Sequence, residues 1–207
     1  MHTERGFYRL VNFSDAVVAI AITLLILPLV ETATELSEIS VIQLLEQDGS
    51  KLLVFVISFA VIGRFWLAHH RVFENIQDYT PGLMWVNLAW LLTIVFLPFP
   101  TELIATDGGS SGTTSVLYIG TMVLTSFTSA WMQLLIVRHP QLQREEIRGT
   151  VRMRPAVIAL ALMGLALLIT VVFPSVGLFA LFAVALTGPI QRLLRVRDDR
   201  ARPTAAG

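Results

Sequence analysis

Apolar runs long enough to cross a bilayer recur along this chain, and they narrow its fold more than any other feature. A helix needs roughly 20 such residues to cross about 30 Å of hydrocarbon. Of 207 residues, 55% are hydrophobic and only 14% charged, whereas soluble domains average about 25% charged. The sequence therefore reads as an all-α, polytopic membrane protein. It contains no cysteine, which excludes disulfides, Cys-ligated zinc and iron–sulfur clusters. Arg5 and Arg9 precede the first apolar run much as in a secretory signal. No small-x-small cleavage site follows Val30, where the sequence reads ETATELSE, so this run is expected to remain as a membrane span.

Six spans are predicted, at 12–30, 52–74, 83–97, 115–137, 155–173 and 176–194, within a single domain of 1–195. A tail at 196–207 is charged, then small and polar, and is expected to be disordered. Pro28 is tolerated near the end of span 1. Between spans 1 and 2, Leu36, Ile39, Ile42 and Leu45 recur as on one face of a short surface helix. Pro98 and Pro100 are expected to close span 3, and Pro155 to open span 5 as a first helical residue. Fourteen of the fifteen Lys and Arg residues fall on one side, at the N-terminus, the end of span 2 leading into the 2–3 connection, the 4–5 connection, and the end of span 6 with the C-terminus. The other side holds only Lys51, with seven acids. Positive loops stay in the cytoplasm, so both termini are predicted there, in a multi-pass protein of the cell membrane, the bacterial inner membrane.

Arg9, Ser14 and Asp15 lie against the first apolar run, and ionisable groups so placed often mark a functional element. Two readings stand side by side. In one, Asn12 or Ser14 caps the helix and Asp15 complements its positive end. In the other the helix starts earlier, Arg9 and Phe13 share one face, and Asp15 faces protein. The carboxylate then needs donors, and the end of span 2 offers Arg64, Trp66, His69 and His70. Asn87 on span 3 lies at similar depth. Such groups could form a buried network holding span 1 against its neighbours.

The pattern R9-LVN-F13-S14-D15-AVVAIAITLL resembles the signature of the transmembrane-protein-175 family of potassium channels. Trp66, His69, His70 and Arg71 at the end of span 2, with six spans, add weaker support. The resemblance implies the short prokaryotic six-helix form, a homotetramer with a pore lined by span 1. It also implies an aliphatic constriction five residues after the motif Asp, which is Ile20, and a threonine layer at Thr23. Leu24 and Leu27 continue that face. On spacing alone this stripe is unremarkable, because nearly every position from Ala16 to Val30 is apolar. Four branched side chains around an axis can close a pore by excluding water. Thr23 could coordinate a partly dehydrated ion there, or simply bond its own helix carbonyl. Glu31 follows span 1 and could attract cations to the outer mouth, or be a solvated loop acid.

Other signatures are missing. There is no carbonyl selectivity filter (Ser175-Val176-Gly177 only echoes one), no Arg-rich voltage sensor, no nucleotide-binding loop and no nucleophile elbow, so no enzyme is expected. His69 and His70, adjacent on a helix, face about 100° apart, which disfavours a shared metal. Neither cofactor nor nucleic-acid partner is expected, only permeant K⁺ and the lipid bilayer. The function expected is a potassium-permeable channel with passive conduction and a hydrophobic constriction. A proton-permeable channel or an ion-coupled transporter is the alternative, although a transporter calls for a midplane acid and broken helices. A membrane scaffold is a third class.

Overall fold

The computed structural model describes residues 4–35, 41–107 and 111–173. Among them are seven α-helices: α1 (Glu4–Leu24), α2 (Leu27–Glu35), α3 (Val41–Glu74), α4 (Pro81–Phe96), α5 (Pro98–Asp107), α6 (Gly112–Arg138) and α7 (Arg154–Val172). By length and hydropathy they supply five candidate membrane spans: Arg5–Glu31, Gly49–Glu74, Pro81–Thr106, Gly112–Arg138 and Arg154–Val172. The predicted span at 176–194 and the tail at 196–207 lie outside the described residues. No β-strand occurs among the described residues beyond one isolated bridge, so the fold described is all-α.

Three features differ from the sequence expectation, each for a local reason. First, α1 begins at Glu4 rather than near 12, which puts Asn12 and Ser14 inside the helix and removes both as caps. The first span then breaks at Leu25–Ile26. Pro28 has no N–H to offer the Leu24 carbonyl, and its ring crowds that carbonyl. The chain responds with tighter i→i−3 bonds, Leu25 N–H to Ile22 O and Ile26 N–H to Thr23 O, both 3.3 Å. Second, residues 41–50 continue directly into span 2 as part of α3 instead of forming a separate surface helix. Third, α4 ends at Phe96, as Pro98 and Pro100 lead one to expect, yet the apolar span runs on to Thr106 through α5. Both prolines fall in the first turn of α5, where a helix needs no intrahelical N–H donor. Leu97 N–H turns to Ile94 O at 3.2 Å, and helical bonding resumes with Thr101 N–H to Leu97 O. Pro155 sits in the first turn of α7, as its position suggests.

The core runs between the spans, with Ile62, Trp90, Ile94, Tyr118 and Met122 buried from α3, α4 and α6. α6 packs on α7 and α4, and α1 packs on α3 and α4. Leu92, Leu168 and Val171 are more than half exposed, as suits a surface solvated by lipid tails.

The 4–5 connection is held against the 2–3 turn. Gln77 N–H bonds Leu142 O at 2.9 Å and Arg144 N–H bonds Asn75 O at 3.1 Å, with Ile76 and Gln143 paired antiparallel. The buried Gln143 amide donates to Ile136 O at 2.9 Å and accepts Gly149 N–H at 2.8 Å. Gly149 has φ +79°, a conformation that costs any residue with a Cβ. Gln143→Ala is expected to lower stability by about 1–3 kcal/mol, since it strands buried partners. Thermal unfolding in detergent micelles measures this, and an unchanged midpoint would show that the amide does not hold the connection.

Candidate functional site

The site is where α1, α3 and α4 meet at one end of the spans. Thr80 positions α4 by accepting Leu83 N–H at 3.2 Å, with Pro81 in the first turn. That start sets Asn87 about one and a half turns inside the helix, fully buried against α1. Asn87 Nδ2 donates to Ser14 Oγ at 2.9 Å, and Ser14 Oγ donates back to Leu10 O at 2.9 Å. Asn87 Oδ1 is left to accept, from His69 Nε2 at 2.7 Å. The sequence of donors therefore puts the imidazole proton on Nε2. Asn87 thus joins α1 to α3 through hydrogen bonds on both faces of its amide.

His69 is clamped as well as bonded. Its ring stacks between Trp90 at 4.1 Å and Phe73 at 4.3 Å, with interplanar angles of 18° and 24°. Beside it, Trp66 Nε1 donates to Asp15 Oδ1 at 2.8 Å, supplying the half-buried carboxylate with a donor from α3. His70 stacks on Trp66 at 5.4 Å and bonds Glu74 at 3.2 Å. The two histidines take different neighbours, and no metal-binding group of three or more ligands occurs among the described residues.

The structure thus brings together Ser14, Asp15, Trp66, His69 and Asn87, with His70 at the edge. It does not bring Arg9 or Phe13 into these bonds. Both lie exposed on the other side of α1. Arg64, a candidate donor to Asp15, forms no ion pair among the described residues.

Ile20 is 60% exposed while Ala21 beside it is fully buried, so α1 has one face turned inward and one turned out. The outward face carries Ile20, Thr23 and Leu24, and Thr23 Oγ1 donates to Ile20 O at 2.8 Å. Leu27, also exposed, opens α2 beyond the break, so the predicted stripe is not one continuous helix. Glu31 is exposed on α2.

Sequence reasoning missed two parts. Phe73 and Trp90 share helix faces with His69 and Asn87 at i+4 and i+3 respectively, and that spacing was the available signal. The second is a buried hydroxyl cluster, with Ser58 Oγ 3.1 Å from Tyr118 OH and 3.1 Å from Thr101 Oγ1. It joins α3, α5 and α6, and nothing in the spacing of those residues relates them.

A bundle of long apolar helices, whose first span is hydrogen-bonded to the second and third, defines a multi-pass α-helical membrane protein. Residues 9–98 match the family described as "Endosomal/lysosomal potassium channel TMEM175". A potassium channel of Streptomyces collinus is 31% identical over 150 residues, covering 69% of this chain and 72% of that one. With that match, the chain belongs to the TMEM175 family. A Chryseobacterium potassium channel is 28% identical over 130 residues, 63% of this chain and 65% of its own. The zebrafish endosomal/lysosomal proton channel TMEM175 is 28% identical over 146 residues, 70% of this chain but 28% of its own. The chain thus spans less than two thirds of these last two relatives. Its fold is similar to the crystal structure of a lysosomal potassium-selective channel TMEM175 homolog from Chamaesiphon minutus, with TM-score 0.55 and 24% identity over 87% of this chain and 97% of that one.

Asn87→Ala is expected to cost about 0.5–2 kcal/mol, the range for interhelical hydrogen bonds within membranes. Combined with Ser14→Ala in a double-mutant cycle, the effects should fall short of additive, because each removes the same bond. Strict additivity in thermal unfolding would show the two groups to be uncoupled.

Proposed function

We propose that the chain is a potassium-permeable cation channel, a homotetramer in the cell membrane that conducts passively through a pore lined by span 1. Both termini are cytoplasmic in this reading, and K⁺ is the permeant ion, with no cofactor. Ile20 forms the tightest ring. Leu24 and Leu27 form further constrictions, with Thr23 as a polar layer between. Glu31 lies toward the outer mouth. The observation that carries this reading is the division of α1 into two faces. Ser14 and Asp15 are hydrogen-bonded to the neighbouring spans, whereas Ile20, Thr23 and Leu24 point away from the subunit. A helix held so firmly from behind can present an apolar face to an axis without tilting as ions pass.

In such a pore the barrier is the cost of stripping water from the ion between branched side chains. Potassium holds its hydration less tightly than sodium and passes more readily. Ile20→Asn puts an amide where the constriction was. It is expected to raise sodium flux towards that of potassium in liposomes with opposed gradients. Unchanged flux and ion preference would remove Ile20 from the constriction. The zebrafish relative's name favours one second reading, proton permeation through the same pore, which a pH-sensitive dye in the same liposomes measures directly.

A further inference from the structure

The outward face of α1 does not begin at Ile20. α1 is one uninterrupted helix from Glu4 to Leu24, so residues eleven apart return to nearly the same side after three turns. Arg9 and Ile20 are such a pair, separated by about 16 Å along the axis at 1.5 Å per residue. Phe13 lies between them, 53% exposed. Leu10, Ser14, Val18 and Ala21 occupy the opposite side and are buried. Whatever Ile20 faces, Arg9 faces also.

Among the described side chains, none offers a counter-charge to Arg9. It is exposed and forms no ion pair among the described residues. It borders a groove of about 370 Å³ between α1 and α4, lined otherwise by Gly6, Leu10, Phe13, Tyr79, Met84 and Leu88. None of these carries a negative charge. The acids of α1 lie off this side: Asp15 is bonded to Trp66, and Glu4, five residues before Arg9, falls about 140° around the helix from it. A guanidinium near the membrane without an acid must reach water, and a hydrated vestibule provides it.

We propose that the four Arg9 side chains form a ring of positive charge at the cytoplasmic mouth of the pore, limiting the entry of cations from that side. The proposal rests on the span 1 pore described above. A fixed positive ring depletes the permeant cation locally, and salt screens the effect. Ile20 then governs which ions pass, and Arg9 governs how readily they enter from the cytoplasm.

The absence of cysteine from the sequence makes the test selective, because Arg9→Cys introduces the sole thiol. Purified protein in planar bilayers is treated from the cytoplasmic side with a positively charged aminoethyl or a negatively charged sulfonatoethyl methanethiosulfonate. Arg9→Cys is expected to raise current leaving the cytoplasmic side, on the order of two- to tenfold in dilute KCl. The aminoethyl reagent should reverse that rise and the sulfonatoethyl reagent extend it. The differences should shrink near 1 M KCl, where the Debye length falls to about 3 Å. The unmodified protein provides a check that needs no variant: its current asymmetry in symmetric KCl should relax as salt rises. Reagents of opposite charge acting alike, or an asymmetry indifferent to salt, overturns the ring. Ile20→Asn in the same bilayers separates the failures. If it alters ion preference while Arg9→Cys ignores both reagents, the pore stands and the ring falls. If neither residue affects current, the span 1 pore falls and takes the ring with it.

Discussion

Between Ser14, Asn87 and His69, each polar group has one direction in which it can be satisfied. The imidazole donates to the Asn87 carbonyl, the Asn87 amide donates to Ser14, and Ser14 donates to the Leu10 carbonyl. Helices in lipid gain little from apolar contact with one another, because the tails they displace are equally apolar. Bonds of this kind therefore specify which helix faces meet. Trp90 and Phe73 close over the imidazole and keep competing water away, so position and rotation of α1 are set together.

That rotation has consequences along the whole first span. With Ser14 turned inward, Val18 and Ala21 follow it into the core, and Ile20 and Thr23 are carried outward. Prolines then shape the ends of the spans. Pro28 follows the break at Leu25–Ile26 and falls in the first turn of α2, just as Pro98 and Pro100 follow the break at Leu97 and fall in the first turn of α5. In both spans the helix tightens and restarts so that each proline sits where it costs little. The Ser58, Thr101 and Tyr118 cluster secures α3, α5 and α6 further along the membrane.

Much of the site was legible because residue type restricted its partners. An acid at the edge of an apolar run needs donors, and Arg64, Trp66, His69, His70 and Asn87 were the candidates at matching depth. The structure joins Asp15 to Trp66, and Ser14 to His69 through Asn87. Arg9 and Phe13 were expected to help hold the helix along with Ser14 and Asp15, with which they share one motif. They lie on the other side of the helix, a distinction that depends on where α1 starts. The hydroxyl cluster could not be foreseen, because a lone Ser, Thr or Tyr in an apolar helix can always bond its own backbone.

The sequence by itself determined that this chain spans a membrane and where most spans lie, because hydrocarbon thickness and backbone hydrogen bonding impose a length on any apolar helix. It also carried the family signature in the first span. Only the tertiary structure decided which side of that span faces the protein. In a helix apolar on almost every side, amphipathic pattern gives no direction. The direction comes from three polar side chains on three different helices finding one another.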